Sequence, residues 1–158
     1  MTRRIAPLVA FLLPALAALP AAAGDAKGTV AYKGSSLDVK YAYLVQTTDA
    51  MSNAPMRRVV LSNKDIGAKI ASCANMSCVD GDLGEGLEVD FVPGPRLNYW
   101  LVMNGQKVQY SGTEPKASFT ATSDDAKKVA GTLRFDKTSA GGPKVDVQFD
   151  AALVKELK

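Results

Sequence analysis

Apolar and polar residues alternate with a period of two over most of the chain after residue 24, which is the spacing of a strand with one buried face. The longest such segment is 37–45, where every odd-numbered position is apolar or aromatic. The segment 145–151 alternates as cleanly near the C-terminus. Only one register places all the apolar residues of a strand on the core face. We therefore expect burial of Val39, Tyr41, Val147 and Phe149 and exposure of Lys40, Asp146 and Gln148.

Turn residues separate a series of short segments with strand character. Asn104-Gly105 is the clearest hairpin signal, because both residues tolerate the positive φ of a type I′ turn. A short helix is predicted over 66–71, after Asn63-Lys64-Asp65, and 73–86 is predicted to be a turn-rich loop. The predicted strands are 29–33, 37–45, 56–62, 87–91, 97–103, 107–111, 117–121, 129–135 and 145–151.

This pattern predicts an all-β fold, either an antiparallel β-sandwich or a small closed barrel. We expect about eight or nine strands and one short helix in that domain.

The first 23 residues have the three-part layout of a secretory signal peptide. Arg3-Arg4 is followed by an apolar run and then by the small residues Ala21 and Ala23. The apolar run is about 15 residues, shorter than the ~20 that a membrane-spanning helix needs, and two prolines interrupt it. We therefore predict a cleaved signal over 1–23, a single domain over 24–158, export to the periplasm or the extracellular space, and no membrane span.

The charge balance of the predicted mature chain argues against nucleic-acid binding. Removal of Arg3 and Arg4 leaves 17 basic and 16 acidic residues, a net charge of about +1, and the charges alternate in sign along the chain. The chain has no histidine, which removes the commonest general base and metal ligand. No catalytic residue and no cofactor is therefore predicted.

Cys73 and Cys78 are the only cysteines, and four residues separate them. In an exported protein such a pair is expected to form a disulfide that closes a small loop. A redox-active dithiol is the alternative, but it usually has C-x-x-C spacing at a helix N-terminus.

Two groups of residues are candidate binding sites. Five carboxylates lie within eleven residues, and the first three, Asp80, Asp82 and Glu85, are weak candidates for calcium, although a solvated acidic turn is the simpler interpretation. Tyr99 and Trp100 are adjacent, so in a strand they point to opposite faces, one into the core and one partly exposed. Both are candidate ligand contacts, with core packing as the alternative.

Several short segments carry a family resemblance: 28–34 with 37–43, 59–66, and 129–133 with 145–151. They resemble the opening hairpin, the next strand and helical turn, and the C-terminal hairpin of a family of uncharacterised exported bacterial proteins. The resemblance implies an all-β exported domain, and it implies no activity, substrate or catalytic residue. Neither the cysteine pair nor Tyr99-Trp100 belongs to the matching motifs.

These features favour an exported, non-catalytic binding module whose ligand and envelope or extracellular partner are unidentified. The alternatives are an accessory structural protein of the cell envelope and an enzyme that uses paired carboxylates. Two convergent carboxylates with raised pKa values would favour the enzyme. An aromatic groove or an unpaired sheet edge would favour the binding module.

Overall fold

Nine strands form the framework of the protein. The computed structural model describes residues 23–49, 52–105 and 108–157. In these residues the strands are β1 (Gly24–Tyr32), β2 (Ser35–Thr48), β3 (Pro55–Ser62), β4 (Gly86–Phe91), β5 (Arg96–Val102), β6 (Tyr110–Pro115), β7 (Phe119–Asp124), β8 (Lys128–Asp136) and β9 (Lys144–Glu156). They form one sheet in the order β6-β5-β4-β3-β2-β1-β9-β8-β7. All neighbours are antiparallel, and β2 also pairs in parallel with the end of β9.

The sheet curls into a half-barrel, so the mainly β prediction is confirmed, whereas the predicted sandwich or closed barrel is wrong. Its two edges are β6 and β7, which are not paired with each other in the described strands. Aromatic side chains from the two halves of the sheet contact one another instead. Phe91 contacts Phe119 with ring centroids 5.0 Å apart, and Tyr99 contacts Phe135 at 4.9 Å. Side-chain packing across the concave face therefore replaces backbone closure.

The concave face holds the larger hydrophobic cluster, which we call the inner cluster. It takes residues from eight of the strands, with Phe119 stacked on Phe149 at 5.5 Å. The predicted burial of Val39, Val147 and Phe149 is confirmed, as is the exposure of Lys40, Asp146 and Gln148. The inner cluster comprises Val30, Tyr32, Leu37, Val39, Ala42, Leu44, Val59, Leu61, Leu87, Val89, Phe91, Leu97, Tyr99, Leu101, Met103, Phe119, Val129, Leu133, Phe135, Val145, Val147, Phe149 and Ala151.

The long strand β2 changes face midway, so the prediction of one core face for all its odd positions is wrong. Leu37 and Val39 belong to the inner cluster, but the even-numbered Ala42 and Leu44 take the inner positions further along. Tyr41 is therefore only half-buried and packs on the opposite, outer face. The pairing of β2 with β1 shifts register nearby, and because strand side chains alternate with a period of two, such an irregularity changes the face that later residues present.

A glycine on β1 accommodates this irregularity. The register shift lies between Asp25 and Gly28, and Gly28 has a φ of 133°, a conformation that side chains rarely adopt. A Cβ atom at this position would also lie 2.1 Å from the carbonyl oxygen of Asp146 on β9. Glycine thus permits both the backbone conformation and the close approach of β9.

Two short helices cover part of the outer face. Helix α1 (Gly67–Ser72) is the predicted helix, and its first amide donates to the Asp65 carboxylate at 3.0 Å. Helix α2 (Met76–Asp82) lies where a turn-rich loop was predicted, so the expectation of one helix is wrong. Under both lies a second set of apolar residues, the outer cluster: Tyr43, Val45, Val60, Ile66, Ile70, Cys73, Val79, Leu83, Val102 and Leu157.

The other local predictions concern the hairpin and the chain termini. Asn104 and Gly105 have φ values of 57° and 69°, as a type I′ turn requires, and β5 and β6 pair on either side of them. The predicted signal segment lies outside the described residues except for Ala23. Within the described ranges, none of the helices combines the length and apolar character needed to cross a membrane.

Candidate functional site

Polar side chains lie side by side on the outer face of β3, β4 and β5, next to the outer cluster. The sheet register determines which residues meet: Arg58 is paired with Asp90, and Glu88 is paired with Trp100. Because these residues alternate with inner-cluster residues along each strand, all four side chains emerge on the same outer face. Three adjacent strands therefore build one polar surface.

Arg58 is the centre of this surface. Its Nε and Nη2 donate to the two carboxylate oxygens of Asp90 at 2.5 and 2.9 Å, a bidentate pair. Its Nη1 donates to Asp80 at 2.5 Å and lies 3.5 Å from Oε2 of Glu88. We call Arg58, Asp80, Glu88 and Asp90 the charged cluster.

Three members of the charged cluster are buried: the exposed fractions are 8% for Arg58, 4% for Glu88 and 3% for Asp90. Burial alone would lower the pKa of Arg58, but the hydrogen bonds and charges of the carboxylates hold that pKa above its usual value. Arg58 therefore stays positively charged. Burial raises the pKa of Asp90, although the hydrogen bonds and the charge of Arg58 oppose this rise.

Helix α2 supplies the fourth member, Asp80. The side chain of Asn75 caps this helix by accepting from the amide of Cys78 at 3.0 Å. The disulfide between Cys73 and Cys78 ties the start of the helix to the end of α1, so the predicted disulfide is confirmed. The cross-linked turn thus holds Asp80 against Arg58.

The charged cluster borders an open cleft of about 550 Å³. Trp100 forms part of its wall, and the guanidinium carbon of Arg58 lies 4.8 Å from the centre of the indole ring. Apolar side chains and glycines complete the surface. The described lining residues are Arg58, Ser77, Asp80, Gly81, Leu83, Gly84, Glu88, Trp100, Val102, Gly105 and Val108.

Glu88 is the unusual residue of the cleft. Its Oε1 is buried and has no hydrogen-bond partner among the described residues. Burial raises the pKa of Glu88 to about 7; Arg58 opposes this rise, while the charges of Asp80 and Asp90 and a hydrogen bond between Glu88 and Asp80 add to it. An orphan buried carboxylate oxygen is costly, since its lost hydration is not replaced. Glu88 therefore lacks one hydrogen bond that a ligand in the cleft can supply.

The carboxylates predicted as weak calcium candidates have separate partners. Asp80 pairs with Arg58, and Glu85 accepts from the side-chain amide of Asn63 at 2.9 Å. Asp82 lies 3.7 Å from Lys69 Nζ and beside the disulfide. In the described part of the chain, the one cluster of metal-ligand type is Cys73, Cys78 and Asp82. Both thiols of that cluster are consumed by the disulfide.

The side chains of Tyr99 and Trp100 lie on opposite faces of the sheet, as predicted. Tyr99 is 2% exposed and lies in the inner cluster, whereas Trp100 is partly exposed on the outer face. Burial raises the pKa of Tyr99 above its usual range, and nearby Tyr110 and Glu114 add to this effect. Of the two candidate ligand contacts, only Trp100 borders the cleft.

Arg58 and Glu88 were not identified as site residues from the sequence. Glu88 alternates with apolar neighbours as a solvent-facing strand residue does, and Arg58 follows another arginine near the start of a strand. One signal was present: Glu88 and Asp90 are both charged and share a predicted strand face, which calls for a counterion on a neighbouring strand.

Comparison of the chain with known protein families, with curated proteins and with solved structures gave no match. The function is therefore inferred from the cleft itself.

Proposed function

We propose that this protein is an exported, non-catalytic binding module and that its ligand occupies the cleft beside Trp100. The signal-like N-terminal segment, the family resemblance and the disulfide support export. The observation that carries the binding role is the orphan Oε1 of Glu88, which is buried in the wall of an open cleft next to an aromatic ring. Such a combination of a few polar groups with apolar walls is typical of ligand sites.

Export is tested by the intact mass of protein recovered from the native host. The expected chain begins at or near Gly24. Retention of residues 1–23 would overturn export, while the binding role would still be tested separately.

Ligand binding is best followed through Trp100, because it is the single tryptophan of the chain. Its indole N–H gives one NMR signal, which reports directly on the cleft. The protein is titrated with four small probes: n-butylammonium, n-butanol, butyrate and methyl β-glucoside. We expect at least one probe to move the indole signal saturably. If none does, the cleft is not a ligand site, and the accessory structural role replaces the binding role.

A carboxylate enzyme, the more distant of the two alternatives, is a further candidate, because a carboxyl group with a pKa of about 7 suits a general acid. Against it, the two carboxylates nearest to Glu88, those of Asp80 and Asp90, are both hydrogen-bonded to Arg58, so a second free carboxylate is missing. The test is release of nitrophenol from a panel of nitrophenyl glycosides. Hydrolysis by the wild type that is lost in Glu88→Gln would support this function. Absence of hydrolysis in the wild type would remove it for this substrate class.

A further inference from the structure

The charge of the cleft favours a cationic ligand. Arg58 is the one cation among the described lining residues. Its guanidinium contacts three carboxylates, of which those of Asp80 and Glu88 also line the cleft. With all of them ionised, the charged cluster carries a net charge of −2. Lining positions outside the cluster contribute no compensating charge in the described part of the wall. A ligand that brings one positive charge would therefore reduce the imbalance.

Arg58 cannot satisfy the orphan oxygen itself. Its Nε and Nη2 are engaged with Asp90, and Nη1 is directed at Asp80. The contact of Nη1 with Glu88 is long, at 3.5 Å, and goes to Oε2 rather than to Oε1. When Glu88 is protonated it can share that proton with Asp80. When Glu88 is ionised, Oε1 has no donor among the described residues, and a ligand in the cleft can supply one.

The shape of the site favours a compact donor. Glu88 Oε1 is recessed from the surface, while Trp100, Leu83 and Val102 supply apolar wall above it. A primary ammonium is a small point charge with three donors on a flexible stem, whereas a guanidinium is broad and planar. The stem can lie along the apolar wall while the head reaches the carboxylate.

A metal ion suits the cluster less well. A metal needs several ligand atoms that converge on one point. Of the described acidic and thiol groups, only Cys73, Cys78 and Asp82 converge in this way, and they are not the groups of the cleft.

We propose, resting on the binding function above, that the cleft binds a primary ammonium group on an unbranched apolar stem, with Glu88 as its direct carboxylate partner. Trp100 then contacts the stem, and Asp80 adds attraction at the entrance. Two sources share this chemistry: a free alkylamine and the lysine side chain of a protein.

Binding of an ammonium should be coupled to release of a proton. Unliganded Glu88 has a pKa of about 7 because burial and the charges of Asp80 and Asp90 outweigh the charge of Arg58. An ammonium beside it favours the ionised form. The affinity should therefore rise about tenfold or more between pH 5 and pH 8, and then level off.

The experiment titrates the protein with n-butylammonium, n-butanol and tetramethylammonium, using the Trp100 indole signal. We expect n-butylammonium to bind at least ten times more tightly than n-butanol, which lacks the charge. Tetramethylammonium should also bind more weakly, because it carries the charge without a donor. Glu88→Gln should lower the n-butylammonium affinity at least tenfold and leave n-butanol unchanged, while Glu156→Gln, at an exposed site, should change neither.

Several results would overturn this proposal. Equal binding of n-butylammonium and n-butanol, or full retention of n-butylammonium binding in Glu88→Gln, would overturn the ammonium assignment and leave the binding role in place. Loss of response to every probe would overturn both. If Glu88→Gln does not fold, the pH series on the wild type decides: an affinity independent of pH between 5 and 8 would exclude Glu88 as the partner.

The source of the ammonium is decided by two larger probes. Titration with 1,4-diaminobutane represents the free amines, and titration with Nα-acetyl-lysine amide represents a protein side chain. The probe with the higher affinity identifies the source whose shape fits the cleft. Failure of both to bind while n-butylammonium binds would restrict the ligand to simple alkylamines with one amino group.

Discussion

The two faces of the curled sheet are both buried, but they are buried in different ways. The concave face is filled by the inner cluster, in which aromatic rings from distant strands contact one another. The outer face beneath α2 instead encloses an arginine and two carboxylates, and one carboxylate oxygen has no partner in the described residues. Apolar packing stabilises a fold directly, whereas burial of charges does so poorly. Apolar packing thus explains the inner cluster and the outer cluster, whereas stability alone does not explain the charged cluster.

The largest expected effect tests the inner face. Phe149 is 3% exposed and stacks on Phe119, so Phe149→Ala removes buried area and leaves a cavity. We expect the free energy of unfolding to fall by about 3–5 kcal/mol. The neighbouring Gln148→Ala, on the exposed side of the same strand, should cost less than about 0.5 kcal/mol. Denaturant unfolding of both variants measures the difference, and a larger loss in Gln148→Ala would mean that the faces of β9 are assigned in reverse.

Removal of Arg58, the central cation of the outer face, should lower the free energy of unfolding by a smaller but still large amount. Arg58→Met keeps much of the volume but leaves Asp90 and Glu88 buried without their counterion. We expect a loss of about 3 kcal/mol at neutral pH, because an unpaired buried charge is costly. The loss should shrink at acidic pH, where the carboxylates protonate.

The matched control for Arg58 is Arg134, whose ion pair with Asp146 is exposed on both sides. Arg134→Met should change the unfolding midpoint little, because exposed ion pairs contribute little. Equal effects of the two substitutions would show that burial of the charged cluster is not what gives Arg58 its importance.

Glu88→Gln should increase the free energy of unfolding, whereas the loss of a contact ordinarily decreases it. The pKa of Glu88 is about 7 in the folded protein and nearer 4.5 when unfolded, so the folded state binds more protons between these values. The stability of the wild type should therefore fall as the pH rises from about 4.5 to 7, and stay reduced above that.

Glutamine cannot ionise, so the stability of Glu88→Gln should not decline over this pH range. At pH 8 we expect the variant to be more stable than the wild type by up to about 3 kcal/mol, with the difference vanishing near pH 4.5. Urea unfolding between pH 4.5 and 8 measures it, with Gln148→Ala as the variant that should keep the wild-type slope. A wild type that gains stability over this range would contradict the assignment.

The inner face was largely predictable from the sequence, because alternation identifies strands and their apolar sides. Phe149 and Val147 were assigned correctly on that basis. The curl of the sheet was not predictable. Alternation does not specify which strands pair, and the curl depends on the long-range pairings of β9 with β1 and β2. The change of face within β2 was missed for the same reason, since apolar residues occupy both sides there.

The candidate site was predictable only in its aromatic member. Trp100 was singled out, and its adjacency to Tyr99 correctly predicted opposite faces. Glu88 looked like a solvent-facing residue because its burial comes from α2, a seven-residue helix that begins within the disulfide loop. So short a helix has little periodicity, and Gly81 and the flanking aspartates are typical of turns. Alternation along a strand does not show which of its faces another element covers.

The smallest expected effect concerns the disulfide and separates the two faces most sharply. Replacing both Cys73 and Cys78 by Ser releases a loop so short that its closure entropy is worth only about 2 kcal/mol. The loss should be local, because the bond joins α1 to α2 and does not reach the inner cluster. We expect the Trp100 indole signal to shift, since α2 carries the Asp80 that holds Arg58 beside the ring. The methyl signals of Val147 should stay in place. Equal shifts at Trp100 and Val147 would show that the outer face is not an independent unit and that its cleft cannot be altered without the core.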